Sequence, residues 1–193
     1  WPLEKGPRQA PPPSDRLHSM TFPEGLKTIG GEAFRESGVE SITLPNGIKL
    51  IEGRAFYLCQ DLREVRSHGS AGQETEGVMN GGVFQYCPKL SVVEFPESLE
   101  SLGQTLFSGV VNLVSVTLGK NLKKMTFNAL GNSMVKLLAV KTATPPALQT
   151  YSLPQQVERV LVPKGALQTY NQSVGNASLR SSWGILTEKM EEL

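Results

Sequence analysis

At 193 residues, with 39% apolar residues and a net charge of +1, the chain is long enough to bury one continuous core. It carries no charge excess that would draw it to nucleic acid or an acidic surface. Two cysteines exclude a disulfide scaffold, two histidines leave little for a metal site, and no run of about 18 apolar residues is present to span a bilayer.

The chain opens on Trp1 rather than Met, from which a leader removed upstream is expected. Residues 1–16, WPLEKGPRQAPPPSDR, hold five prolines and no periodic pattern, and read as an extended linker. A proline-rich ligand for a partner's aromatic groove is the alternative for this stretch.

From Leu17 onward short apolar triplets recur, beginning at Met20, Ile42, Val65, Val93, Val116, Val140 and Val160. Their first residues stand 22, 23, 28, 23, 24 and 20 apart. Each triplet alternates inward and outward as a strand does, and Pro or Gly follows several of them directly. A second element recurs behind each strand. Ile29-Gly30 precedes Ala33-Phe34, Ile51-Glu52 precedes Ala55-Phe56, and Leu102-Gly103 precedes Leu106-Phe107. Met125-Thr126 precedes Ala129-Leu130 as a weaker copy, and Val83-Phe84 serves the third unit, whose Ile-Gly pair is lost behind an insertion. Units this short cannot bury their own apolar residues, whereas stacked coils bury one another's, so the period predicts a solenoid. The Ala-Phe segments are too short for free helices and are expected as single helical or 3-10 turns. Phe34, Phe56, Phe84 and Phe107 would stack as an internal ladder.

The long third unit contains SHGSAGQETEGVMNGG, Ser67 to Gly82, which reads as a protruding loop, either tolerated or functional. Cys59 and Cys87 each stand three residues after a ladder Phe and are expected as stacked, buried thiols in adjacent coils. A bridge between them is the alternative, since coil spacing lies near the usual Cα range. Beyond Pro163, residues 164–193 offer Leu167, Tyr170, Trp183, Ile185, Leu186 and Met190 to cover the last coil, so this segment is read as a C-terminal cap.

The unit L-x-x-I-x-L-P…I-G-x-x-A-F-x-x-C resembles BspA-like leucine-rich repeats over roughly Leu17 to Pro163. The tail VERVLVPKGALQTY…SSWGILTEKM is similar to the closing segment of such proteins. The resemblance implies a right-handed α/β solenoid of six to seven coils, with short parallel strands on the concave face and short helical or 3-10 turns on the convex side. It implies a non-enzymatic protein-binding or adhesion module, secreted or at the bacterial cell surface. The implied partner is a protein, such as a host extracellular-matrix or surface protein.

Nothing in the residues themselves points to catalysis, a cofactor or a metal. His68-Gly69-Ser70 lacks an orienting acid nearby in sequence, Glu74 and Glu76 read as solvation, and GGVFQYCPK lacks the ending of a phosphate loop. Lys120, Lys123 and Lys124 form a small basic cluster with no aromatic interleaving. Asn171-Gln-Ser and Asn176-Ala-Ser match the glycosylation pattern, relevant to a eukaryotic source alone. The outward strand positions are Ser41/Thr43, Glu64/Arg66, Val92/Glu94, Ser115/Thr117, Ala139/Lys141 and Arg159/Leu161. No aromatic residue is among them, which weighs against a sugar-binding face, and their mixed charge weighs against nucleic acid. A partner is therefore expected on a row made by Arg66, Glu94, Thr117 and Lys141, with Val114 and Leu138 at the strand entrance adding apolar contact. A spacer without a specific ligand is the alternative.

Overall fold

A computed structural model of the chain describes residues 18–69, 76–173 and 182–193. The proposed linker, 1–16, lies outside the described residues.

The chain winds as a solenoid in which the first six coils each give one strand to each of two parallel sheets. The first sheet has eight strands: β1 (Ser19–Thr21), β3 (Ser41–Pro45), β5 (Glu64–His68), β7 (Val92–Glu94), β9 (Ser115–Leu118), β11 (Leu137–Val140), β13 (Arg159–Val162) and β14 (Met190–Glu192), in that spatial order. The second, a six-stranded sheet, was not foreseen. It is made of β2 (Thr28–Ile29), β4 (Leu50–Ile51), β6 (Gly77–Met79), β8 (Leu99–Leu102), β10 (Lys124–Met125) and β12 (Ala147–Leu148). Its strands are the Ile-Gly positions of the repeat. Two-residue strands give little period-2 signal to read, and pairing with the neighbouring coils is what defines them.

Buried and less buried residues alternate along β9, β11 and β13. Ile42, Val65, Val93, Val116, Leu138 and Val160 are fully buried or nearly so and pair in register from coil to coil. The sixth anchor is thus Leu138, two residues before the expected Val140, and the spacings on either side of it become 22 and 22.

The Ala-Phe segments are not helices. They are hydrogen-bonded turns in which one position of every coil is left-handed: Glu32, Arg54, Gly82, Thr105, Asn128 and Tyr151, with φ between 50° and 70°. A second left-handed column runs through Glu36, Leu58, Tyr86 and Gly109. The reason lies in the hydrogen bonds. A helix would keep every N–H within its own segment. Here the left-handed residues donate to the following coil instead: Arg54 to the Gly81 carbonyl at 3.3 Å, Gly82 to Gln104 at 3.0 Å, and Asn128 to Thr150 at 3.0 Å. Leu58 and Tyr86 do the same to Gln85 and Ser108. Backbone bonding between coils therefore continues around the turn, at a cost of about 1–2 kcal/mol for each non-glycine residue so placed.

Between sheets and turns lies the core. Phe34, Phe56, Phe84 and Phe107 stack face to face at 5.1, 5.7 and 5.8 Å, with planes within 13° of parallel. Phe22 closes one end of this ladder edge-on, 5.3 Å from Phe34. Cys59 and Cys87 are free and buried, and each thiol donates to the carbonyl of the ladder Phe one coil back, Phe34 and Phe56, at 3.1 Å.

Of the expected loop, Ser67–Gly82, residues 70–75 lie outside the described residues, and strands take up part of the rest. Ser67 and His68 complete β5, where His68 Nε2 donates to the Phe22 carbonyl at 2.7 Å, and Gly77–Met79 form β6. Met79-Asn80 thus fills the place of the missing Ile-Gly pair. Beside this detour the second and fourth coils touch directly. Asn46 Oδ1 accepts from Glu97 N at 2.9 Å, and the buried Ser98 hydroxyl donates to the Ile48 carbonyl at 2.6 Å.

At the far end α1 (Leu167–Asn171), a 3-10 segment (Trp183–Lys189) and β14 cover the last coil. Trp183 is fully buried, edge-on to Tyr170 at 5.3 Å, and its indole N–H donates to the Pro146 carbonyl at 2.8 Å.

Candidate interaction surface

Two rows of side chains cross the outward face of the eight-stranded sheet. One runs through Ser41, Glu64, Val92, Ser115, Leu137 and Arg159. The other contains Thr43 and Arg66, then Glu94, Thr117, Ala139 and Leu161. Parallel pairing holds the strands about 4.8 Å apart, so each row is a rigid array rather than a set of free side chains.

Glu94 pairs with Thr117, and Arg66 follows Val65, the partner of Val93, whereas Lys141 lies outside this row. Thr117 pairs with Ala139, and Lys141 follows the end of β11, its N–H bonded to the Leu118 carbonyl. The same two-residue slip misplaced Leu138, which is 0% exposed and belongs to the core, so it cannot meet a partner. A slip of two preserves the inward and outward parity of a strand, which is why the rest of the face was read correctly. Val114 is half exposed and precedes β9, so it remains at the strand entrance.

The charges on this face neutralise one another. Arg66 pairs with Glu64 on its own strand instead of bridging to Glu94. Lys141 Nζ reaches Glu94 Oε1 at 2.8 Å. Arg159 meets Glu191 on β14 at 2.5 Å, and this hydrogen bond holds the Glu191 carboxyl below the usual carboxylate range. Lys120 and Lys123 of the basic cluster are paired with Glu97 and Glu100, away from this face.

Sequence reasoning missed the aromatic residues of the turns. Tyr86 meets Tyr57 edge-on at 5.6 Å, and Phe127 meets Tyr151 at 6.3 Å. Arg35 and Arg54 both lie over the Tyr57 ring, at 5.3 and 5.5 Å. Their signal was available as the non-repeating positions of the turn, which vary from coil to coil while the ladder positions do not. Among the described residues no cluster of three or more His, Cys, Asp or Glu is placed to hold a metal ion. No helix among them is long and apolar enough to cross a membrane.

Residues 13–80 and 77–174 match the BspA type leucine rich repeat region, in six copies. The chain belongs to the BspA-type leucine-rich repeat family. No curated protein sequence matches it. Among solved structures it is similar to the pneumococcal vaccine antigen PcpA, at a TM-score of 0.64 and 18% identity, over 80% of this chain and 42% of that one. It is also similar, at a TM-score of 0.39 and 16% identity, to a leucine rich cell surface protein from Faecalibacterium prausnitzii A2-165, over 80% of this chain and 46% of that one. The chain spans less than half the length of either structure. At these identities the PcpA likeness supports the repeat fold alone.

Proposed function

We propose that this BspA-type chain is a non-enzymatic protein-binding module of a secreted or cell-surface protein, with adhesion to a host matrix or surface protein as its role. Its binding face is the outward side of the eight-stranded sheet around Arg66, Glu94 and Thr117, with Lys141 and Val114 at the rim. One observation carries this reading: the face is a broad array of half-buried, uncharged or internally paired side chains fixed by continuous strand pairing. Such preorganisation lowers the entropy cost of engaging a macromolecule. The repeat family supports presentation outside the cell.

The internal ion pairs favour a second reading, a spacer whose face binds nothing specific, because paired charges offer a partner less to recruit. Pull-down against extracellular-matrix proteins separates the two. An Arg66→Ala/Lys141→Ala variant is expected to lose a captured partner, and a variant with residues 70–75 shortened is expected to keep it. Loss in the shortened variant alone moves the site off the sheet, and no capture in any form favours the spacer.

A further inference from the structure

The turns carry a second surface with different chemistry. In the column before the ladder, Gly82 stands between Arg54 and Thr105 of the neighbouring coils, and Gly81 between Gly53 and Gln104. A hollow of about 250 Å³ lies beside them, lined by Arg54, Gln85, Gln104 and Thr105 over glycine backbone. Its floor admits glycine alone, for a Cβ at Gly81 would come within 2.9 Å of Gln104 Cγ, and Gly82 has a φ of +70°.

The polar groups of the hollow are fixed. Gln85 Nε2 donates to both the carbonyl and the hydroxyl oxygen of Thr105, at 3.1 and 3.0 Å, which leaves the amide oxygen of Gln85 as an acceptor. Arg54 is braced over the Tyr57 ring and presents its remaining donors. Beyond Gln104 along the coil axis, Phe127 and Tyr151 are 45% and 37% exposed, and Phe127 occupies the column position of Gln104 on the next coil. Gln149 accepts from Phe127 N through Oε1 at 3.0 Å, which leaves its amide nitrogen as a donor.

We propose that this edge of the solenoid binds a neutral oligosaccharide. A pyranose has an apolar C–H face that packs on an aromatic ring and a rim of hydroxyls that needs donors and acceptors at once. Exposed Tyr and Phe supply the first, and fixed amides and hydroxyls around a concave floor supply the second. From Gln85 to Tyr151 the site crosses three coil steps of about 4.8 Å, the length of a short oligosaccharide. Absence of aromatic residues from the sheet face weighed against sugar there, and the turns are where the structure places them.

The test is titration of the intact chain with cellohexaose, maltohexaose and chitohexaose, read by calorimetry and by amide chemical shifts. At least one sugar is expected to saturate with a Kd on the order of 1 mM or tighter, moving the signals of Gln85, Gln104 and Phe127. Gln104→Ala and Phe127→Ala, both exposed positions, are expected to weaken binding about tenfold while unfolding at the wild-type temperature. Arg66→Ala on the sheet is expected to leave sugar binding unchanged, so this proposal and the protein-binding face fail separately. Saturation by none of the three sugars overturns the proposal. So does binding that both turn variants retain, or a protein partner lost in Phe127→Ala while every sugar is ignored.

Discussion

Lys141 and Glu94 form an ion pair across an intervening strand, Nζ to Oε1 at 2.8 Å, although β9 runs between β7 and β11. The short side chains of Thr117 and Ala139 make this possible, since a lysine stem can pass over them. Both charges remain partly in water, so a double-mutant cycle with Glu94→Ala and Lys141→Ala is expected to give a coupling below about 1 kcal/mol. Raising salt to about 1 M should erase it. A larger, salt-resistant coupling would mean that the pair fixes the sheet.

Phe56 is stacked on both sides and fully buried, whereas Phe34 is only partly buried. Truncation of Phe56 to Ala is expected to cost about 3–5 kcal/mol, and that of Phe34 clearly less. Urea denaturation measures both. Equal losses would show that the ladder is not the spine of the core.

Gly77 has no room for a side chain. A Cβ there would lie 2.7 Å from the Ser98 carbonyl oxygen and 2.8 Å from that of Ile48. Both are backbone atoms, which give way less readily than a flexible side chain. Gly77→Ala is expected to destabilise by about 1–3 kcal/mol. At about 2–4 °C per kcal/mol for a chain of this size, calorimetry would register the change. An unchanged melting temperature would contradict the close approach.

Asn128 combines a left-handed backbone with a buried side-chain oxygen that has no hydrogen-bond partner. Asn128→Gly removes both burdens, while Asn128→Ala removes the oxygen and keeps the strain. The Gly variant should therefore exceed the Ala variant by about 1 kcal/mol. The reverse order in thermal melts would dismiss the strain argument.

Burial pushes up the Tyr170 phenol. It stays protonated in the fold while the unfolded chain ionises near about 10. Its contribution is complete below the unfolded value and is lost as pH climbs above it toward the raised folded value. Urea midpoints should hold from about pH 7 to 9 and fall beyond about 10. Midpoints that stay level to pH ~10.5 would refute the linkage.

The first sheet and the Phe ladder were legible because each rests on residues that recur. Helical turns were expected for the Ala-Phe segments because only local propensity was weighed. The left-handed columns answer instead to hydrogen bonds with the next coil, which no single unit reveals. The Leu138 and Lys141 positions failed together, because LLAV offers two apolar anchors of the same parity and pairing across strands selects between them. The face itself was legible as rows. Its ion pairs were not, since Lys141 to Glu94 spans two strand spacings and Arg66 turns to its own strand.

In most repeat arrays each unit is secured by its immediate neighbours, so one unit can in principle melt by itself. The bonds from Asn46 to Glu97 and from Ser98 to Ile48 break that rule, because they tie the second coil to the fourth past the third. The coil carrying the extra residues lies inside this bracket. For it to come apart alone, two of its neighbours would have to release each other first. The longest detour in the chain therefore sits within a block that opens as a unit, and the points where fraying begins are displaced to the two ends of the stack.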